Sequence, residues 1–233
     1  SPNSVQEMFD LTIRAFNLSE TYRTPVIVLA DEIIAHMREQ IQIPPYDEIT
    51  VVNRKKPKAS DKMFFMMDEI APMPSVGEGF NVAVTGSTHD ETGRRFTADP
   101  IVHRRLVETL VGKIRNHVDK IMEYEAHSVE DCDVGVVSFG CTSRAVYESV
   151  ESAKDKGIRV GFIRLKTVWP FPEKAVHDMA QNCKAIIVPE MNLKEVFYEV
   201  ERAAHGAAPV VPVNKVGGGE MITPEELTAE IVR

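Results

Sequence analysis

The sequence predicts an α/β protein, a doubly wound parallel sheet preceded by the tail of another α/β domain. Three observations carry this expectation. From residue 131 onward, short apolar runs of strand length alternate strictly with amphipathic helical patterns. Those runs are apolar at successive positions, as in strands covered by helices on both faces. One more such run, Val26-Ile27-Val28-Leu29-Ala30, follows Thr24-Pro25 near the start, with no strand pattern before it to supply its neighbours. The chain therefore reads as the C-terminal piece of a larger polypeptide.

Residues 1–40 are the expected end of that first domain. Ser4-Val5-Gln6-Glu7 reads as a capping box, and Val5, Met8, Phe9, Ile13 and Phe16 recur behind it at helical spacing. The run at 26–30 is expected inside a parallel sheet, and Asp31-Glu32 then stands at the C-terminal end of a buried strand. Open α/β sheets place their sites there, although the same acids can simply start a short helix ending near Gln40.

Residues 41–130 are an irregular connection plus a long helix. Pro44-Pro45, Pro57, Pro72 and Pro74 break helices, Gly77 and Gly79 permit turns, and residues 80–86 can form one short strand. A connection this long is functional or wraps a partner. A helix is expected from Asp99-Pro100 to about Glu125, with Asp99 as cap and Pro100 in the first turn. Ile101, Leu106, Leu110, Ile114, Val118 and Ile121 give it an apolar stripe, too short for a coiled coil and suited to packing.

Residues 131–233 are the most regular part. Strands are expected at 134–139, 160–165, 185–188 and 210–213, and helices at 143–156, 172–181 and 193–204. Gly157 closes the first of these helices, and Thr223-Pro224-Glu225-Glu226 opens a last one with an N-cap, an N1 proline and a Glu at N3. Right-handed crossovers then wind the sheet in both directions.

Composition narrows the function classes. With 43% hydrophobic and 27% charged residues, the chain has the make-up of an ordinary soluble protein. A formal charge of -8 disfavours nucleic-acid binding, and Arg54-Lys55-Lys56-Pro57-Lys58, Arg94-Arg95 and Arg104-Arg105 read as solvated faces or local ion pairs. No apolar run approaches the ~20 residues of a membrane span, so no membrane partner is expected. Three widely spaced cysteines, Cys132, Cys141 and Cys183, fit no disulfide framework and point to a reducing cytoplasm. They read as small buried hydrophobes, and they are too few for the four thiolates of an iron–sulfur cluster.

Four loops line the expected ligand edge of the last domain. Phe139-Gly140-Cys141-Thr142-Ser143-Arg144 has one glycine and capping hydroxyls, short of the G-x-G-x-x-G of dinucleotide binding. Lys166-Thr167-Val168-Trp169-Pro170-Phe171-Pro172 holds the single Trp and reads as a rigid plug or an interface anchor through Trp169 and Phe171. In Val188-Pro189-Glu190-Met191-Asn192, Asn192 is a good N-cap with Glu195 completing its box, and Glu190 can accept a donor from a partner. Val216-Gly217-Gly218-Gly219-Glu220 lacks the Lys-Ser/Thr of a P-loop and reads as a flexible turn. Outside that edge, Thr85-Gly86-Ser87-Thr88-His89-Asp90-Glu91-Thr92-Gly93 is the densest polar cluster, an exposed loop or a site-facing one with His89 able to move protons near neutrality. The seven histidines form no H-x-x-x-H or H-E-x-x-H, so no metal site is expected, and no G-x-S-x-G elbow supports a hydrolase.

Read together, SVQEMFDLTIRAFNLSETYRTPVIVLADE, VTGSTHDETGRRF, VSFGCTSRAV, WPFP, VPEMN and VNKVGGGEMITPEEL occur in order over almost the whole chain. In these stretches the sequence resembles the α subunit of 2-oxoacid:ferredoxin oxidoreductases, closest to the 2-oxoglutarate synthase type. The resemblance implies that residues 1–40 end a pyrimidine-type thiamine-diphosphate-binding domain and that 131–233 form a transketolase C-terminal-like domain. It implies oxidative decarboxylation of a 2-oxoacid with coenzyme A, giving an acyl-CoA, CO2 and reduced ferredoxin. Thiamine diphosphate and Mg2+ would be held mostly by a β subunit, and iron–sulfur clusters by partner subunits, γ and δ included. The family's activating glutamate matches nothing here, so no catalytic residue is assigned. The leading reading makes this segment mainly structural and interface-forming; if it touches substrate or cofactor, His89 and Asp90 are the first residues expected to do so and Asp31 the next. Where the family continues Gly-Gln after VPEMNL, this chain has Lys194-Glu195. Two other readings stay open: a non-catalytic α/β interaction module, and a ferredoxin-independent transketolase- or E1-like component.

Overall fold

A computed structural model describes residues 1–65 and 70–233. In chain order the elements are α1 (Val5–Tyr22), α2 (Glu32–His36), α3 (Pro100–Arg115), α4 (Val118–Ile121), β1 (Tyr124–His127), β2 (Val134–Phe139), α5 (Thr142–Lys154), β3 (Val160–Leu165), α6 (Glu173–Asn182), β4 (Ala185–Glu190), α7 (Glu195–Ala204), β5 (Val210–Asn214) and α8 (Pro224–Val232). They fall into two compact units. The first comprises Ser1–Leu11, Val28–Gln42 and Met122–Arg233, and the second Thr12–Ile27 and Ile43–Ile121.

The first unit is a five-stranded sheet in the order β1-β3-β2-β4-β5. Strands β2 to β5 run parallel, and β1 closes one edge antiparallel to β3 with Tyr124 opposite Leu165. The all-apolar runs explain the layering, because successive side chains of a strand leave on opposite faces. Val137, Ile163 and Val188 pack on Val176 and Met179 of α6 and Val196 and Val200 of α7. Their neighbours Val136, Phe162 and Ile187 pack on Val146 of α5 and Leu227 and Ile231 of α8. Burying each such side chain contributes roughly 1.5–3 kcal/mol. Local signals hold at the ends: Gly157 follows α5 at φ +80°, and Thr223 and Glu226 make both bonds of the capping box on α8.

Several expected elements differ. Residues 26–30 form no strand, because among the described residues no strand runs beside them to complete a ladder; Ile27 is 78% exposed. The helix after Asp31 stops at His36. Residues 80–86 are not a strand either; Phe80 is held by packing edge-on against Phe64 at 5.8 Å. The long helix begins as expected, with Asp99 Oδ1 accepting from Ile101 N at 2.7 Å, but breaks at Asn116-His117. There the His117 Nδ1 lies 3.0 Å from the Lys113 carbonyl, and local side-chain bonds of this kind compete with the helix ladder. Of the stripe, Leu106 and Ile121 are buried while Ile101 and Leu110 are exposed. Residues 124–127, read as helix and loop, form the edge strand β1.

In the second unit, polar side chains hold the irregular connection. Asn17 accepts from Val52 N and donates to Thr50 O, both at 2.8 Å, and Arg54 pairs with both oxygens of Glu20 at 2.6 Å. Arg23, in the left-handed region at φ 50°, donates to the Phe64 and Ala71 carbonyls at 2.6 and 2.9 Å.

Candidate functional site

The loops after the parallel strands of the first unit are held largely by the chain's own carboxylates. Gly140 turns out of β2 at φ +57°, and Cys141 opens α5 without a side-chain cap. The missing cap comes from far away in sequence: the Asp31 Oδ2 accepts from Cys141 N at 2.6 Å. A Cβ on Gly140 would lie 2.3 Å from that oxygen, so glycine is what admits the carboxylate. A helix N-terminus favours negative charge, and here Asp31 supplies it, where a phosphate would otherwise sit. Asp31 stands at the N-cap position of α2 but makes no side-chain bond to it. The Cys141 thiol, buried and facing the Asp31 charge, is pushed up to about 12.

The loop after β4 works the same way. Glu190 is 1% exposed, and its two oxygens accept from Val196 N at 2.8 Å and Phe197 N at 2.7 Å at the start of α7. Both oxygens of the carboxylate are thus engaged inside the chain. Asn192 Oδ1 accepts from Glu195 N at 3.1 Å, and Lys194 sits at φ 72°, a conformation that suits the glycine expected there. After β3, Phe171 is buried while Trp169 is 70% exposed. After β5, Gly217, Gly218 and Gly219 all have positive φ, and a Cβ on any of them would meet nothing within 4 Å.

Sequence reasoning missed the most heavily charged point of this unit. Arg164, in β3, is 1% exposed, and its guanidinium pairs with both oxygens of Glu7 and, at 3.0 Å, with Glu125 on β1. Lys166 Nζ lies 3.0 Å from Glu125, and Tyr147 donates to the other Glu125 oxygen at 2.6 Å. Burial would raise both carboxyls, but the donors win. Arg164 holds Glu7 below the ordinary range, and Tyr147, Lys166 and Arg164 bring Glu125 down to about 2. The signal available in sequence was a charged residue inside an otherwise apolar strand, VGFIRL. Glu7 does take part at the start of α1, where its N–H donates to Ser4 Oγ at 3.1 Å, while its carboxylate accepts from Asn3 N at 3.0 Å instead of from Ser4.

In the second unit, residues 88–96 fold as a tight reversal: His89 bridges Arg95, and Phe96 N donates to Thr88 O at 2.9 Å. Asp90 organises it. Its Oδ1 accepts from Thr92 Oγ1 at 2.6 Å, Thr92 N at 2.9 Å and Arg94 N at 3.2 Å, and the Thr92 hydroxyl leads in holding the carboxyl low. His89 packs its ring on Phe65 at 4.8 Å, with Nδ1 3.0 Å from Asp90 O. Asp90, Glu91 and Thr92, with Met63, Ile101, Val102 and Arg105, line a pocket of about 290 Å³, and Arg105 pairs with Glu91 on its wall. Gly93, at φ +83°, fixes the turn: a Cβ there would fall 2.2 Å from the Ala83 carbonyl oxygen and 2.6 Å from the Phe65 ring. Gly93→Ala is therefore expected to cost about 3 kcal/mol from strain and overpacking combined. Hydrogen exchange of residues 85–95 should accelerate at least tenfold; unchanged exchange would show that the turn does not depend on this contact.

Among the described residues no three His, Cys, Asp or Glu side chains gather as a metal ion would need. No described helix is long and apolar enough to cross a membrane.

Fold and loops together define an α/β protein of the doubly wound class, with a mostly parallel sheet whose loops after β2 and β4 are fixed by internal carboxylates. Residues 1–109 match the thiamine-diphosphate-binding domain of pyruvate flavodoxin/ferredoxin oxidoreductases, and 132–227 match core domain II of pyruvate:ferredoxin oxidoreductase. The chain belongs to the 2-oxoacid:ferredoxin oxidoreductase family. It is 44% identical to the 2-oxoglutarate synthase subunit KorA of Methanothermobacter marburgensis, covering 100% of this chain and 62% of that protein. With the KorA of Methanocaldococcus jannaschii the figures are 44%, 100% and 62%. The chain thus spans less than two thirds of the length of these relatives. The structure of a 2-oxoglutarate:ferredoxin oxidoreductase from Magnetococcus marinus, with 2-oxoglutarate, coenzyme A and succinyl-CoA bound, matches with a TM-score of 0.84 and 25% identity over 99% of this chain and 41% of that one.

Proposed function

We propose that the chain forms part of the α subunit of a 2-oxoglutarate:ferredoxin oxidoreductase. That enzyme decarboxylates a 2-oxoacid oxidatively with coenzyme A, giving an acyl-CoA, CO2 and reduced ferredoxin. One observation carries the reading: 44% identity to a 2-oxoglutarate synthase subunit extends over 100% of the chain. It favours this enzyme over an interaction module or a ferredoxin-independent component.

Thiamine diphosphate, when bound, supplies the carbanion chemistry. The residues described here do not fit it by themselves. No cluster of ligands for Mg2+ is present among them, and the N-terminus of α5 already holds Asp31. In our reading, which rests on the family likeness, the cofactor and Mg2+ are held mostly by a β subunit and the iron–sulfur clusters by partner subunits, γ and δ among them; the three cysteines of this chain fall short of the four thiolates of a cluster. Residues 1–40 end the pyrimidine-type domain, 41–130 connect, and 131–233 form the transketolase C-terminal-like domain. In the same reading His89 and Asp90, and separately Asp31, are the residues that face substrate or cofactor, and the carboxylates of Asp90 and Asp31 shape the loops they sit in. Trp169 is the side chain a partner subunit meets, with Phe171 and Glu190 holding the loops beneath that surface. The enzyme works in the cytoplasm.

The test is reconstitution of the full-length subunit with its partners and an assay of coenzyme A-dependent viologen reduction on several 2-oxoacids. Fastest reduction with 2-oxoglutarate is expected. Reduction with none of them overturns the enzyme reading, and a preference for pyruvate overturns the substrate alone.

A further inference from the structure

We infer that Cys132 and Cys183 are a redox-modifiable pair, closing to a disulfide at the edge of the sheet where β2 and β4 begin. The first rung of the β2–β4 ladder pairs Val134 with Ala185, and the two cysteines each stand two residues before it. Lys184 N donates to Asp133 O at 2.9 Å, so the chains still run side by side there. Adjacent strands lie roughly 4.8 Å apart, inside the roughly 4.4–6.8 Å between Cα atoms that a disulfide spans. Cys183 is extended at φ -125°, ψ 162°, and the two thiols are close enough to shift each other's protonation. On the third strand, Gly161 leaves the room this needs: a Cβ there would lie 2.7 Å from Cys132 Sγ. Cys132 is buried, and Cys183 is partly exposed, giving a small oxidant a way in.

Cys132 is the better nucleophile of the two. The neighbouring Cys183 thiol leads in holding it below an ordinary thiol, against the effect of burial, while Cys183 itself is raised by Cys132 and by burial. With hydrogen peroxide as oxidant, the Cys132 thiolate takes one oxygen as the O–O bond breaks, giving a sulfenic acid and hydroxide, which is protonated to water. The Cys183 sulfur then attacks the sulfenic sulfur; the S–O bond breaks, and the leaving hydroxide takes the Cys183 proton as a second water. Two thiols and one peroxide become one disulfide and two waters. Cys141, pushed up to about 12 by burial and the Asp31 charge, stays protonated and is the internal control.

The full-length protein, purified reduced, is treated with hydrogen peroxide, unfolded, alkylated and mapped by mass spectrometry. Of these three cysteines, Cys141 alone is expected to be alkylated, beside a linked Cys132–Cys183 peptide that dithiothreitol releases. Cys132→Ser and Cys183→Ser should each abolish that link. Retention of Cys132, Cys141 and Cys183 all as alkylatable thiols, a sulfinic acid in place of the link, or pairing that involves Cys141 would overturn the inference. Equal Cys132–Cys183 pairing when the chain is oxidised in denaturant would do the same, because the fold would then not be its source.

Discussion

Replacing Glu190 by alanine is expected to lower the stability of the chain by about 3–4 kcal/mol, because two donors at the start of α7 lose their acceptor. An unsatisfied buried donor costs roughly 1–3 kcal/mol, and bonds to a charged acceptor stand at the upper end. Val196 and Phe197 themselves are buried, so water has little access to their N–H groups. Glu190→Gln keeps one acceptor oxygen and should lose about half as much. Urea unfolding followed by circular dichroism measures both; a loss below ~1 kcal/mol for the alanine variant would mean that α7 finds another cap. The effect should reach beyond the helix, because Val196 and Val200 carry one face of the core.

Arg164→Ala is the second large effect, at about 3–5 kcal/mol, the usual cost of removing one partner from a buried ion pair. The loss is not the worth of the pair. Glu7 and Glu125 are left without the guanidinium that neutralises them, so Arg164→Met combined with Glu7→Leu should recover much of it. A cycle of the single and double variants measures the recovery, and strict additivity would sink this account. The same cluster sets a pH dependence. Glu7 and Glu125 have folded-state values below their unfolded ones, so their contribution is complete above roughly pH 4.5 and is lost as pH falls toward about 2. Stability of the native chain should fall across that window, and the Arg164→Ala variant should fall less steeply.

What could be read from the sequence was what is local. The runs at 134–139 and 160–165 became strands with those limits because short runs rich in β-branched and aromatic residues admit little else between two helical layers. Asp99-Pro100 and Thr223-Pro224-Glu225-Glu226 acted as caps because their partners lie within three residues. What was not legible depends on partners distant in sequence. The Val26–Ala30 run has strand composition, but a ladder needs a neighbour. Tyr124–His127 has no periodic signal and is a strand only because β3 offers it an open edge. At the candidate sites, the polar loops at Asp31, His89-Asp90 and Glu190 stood out in the sequence, but their roles did not. Asp31 and Cys141 are 110 positions apart, and Arg164 and Glu7 157 apart; neither pairing leaves a trace in spacing.

The edges of the sheet decide what kind of assembly it can enter. Ile186 N reaches Pro209 O, and Lys215 N reaches Glu190 O, so odd-numbered positions of the last strand turn toward β4 and even-numbered ones, Pro212 among them, turn outward. Proline has no N–H, so the free side of β5 lacks a donor at its middle and is a poor template for another strand. The opposite border, β1, is four residues long and carries Glu125 and His127. Neither border of this sheet invites runaway strand addition, which leaves side chains and loops, rather than backbone pairing, as the surface it offers.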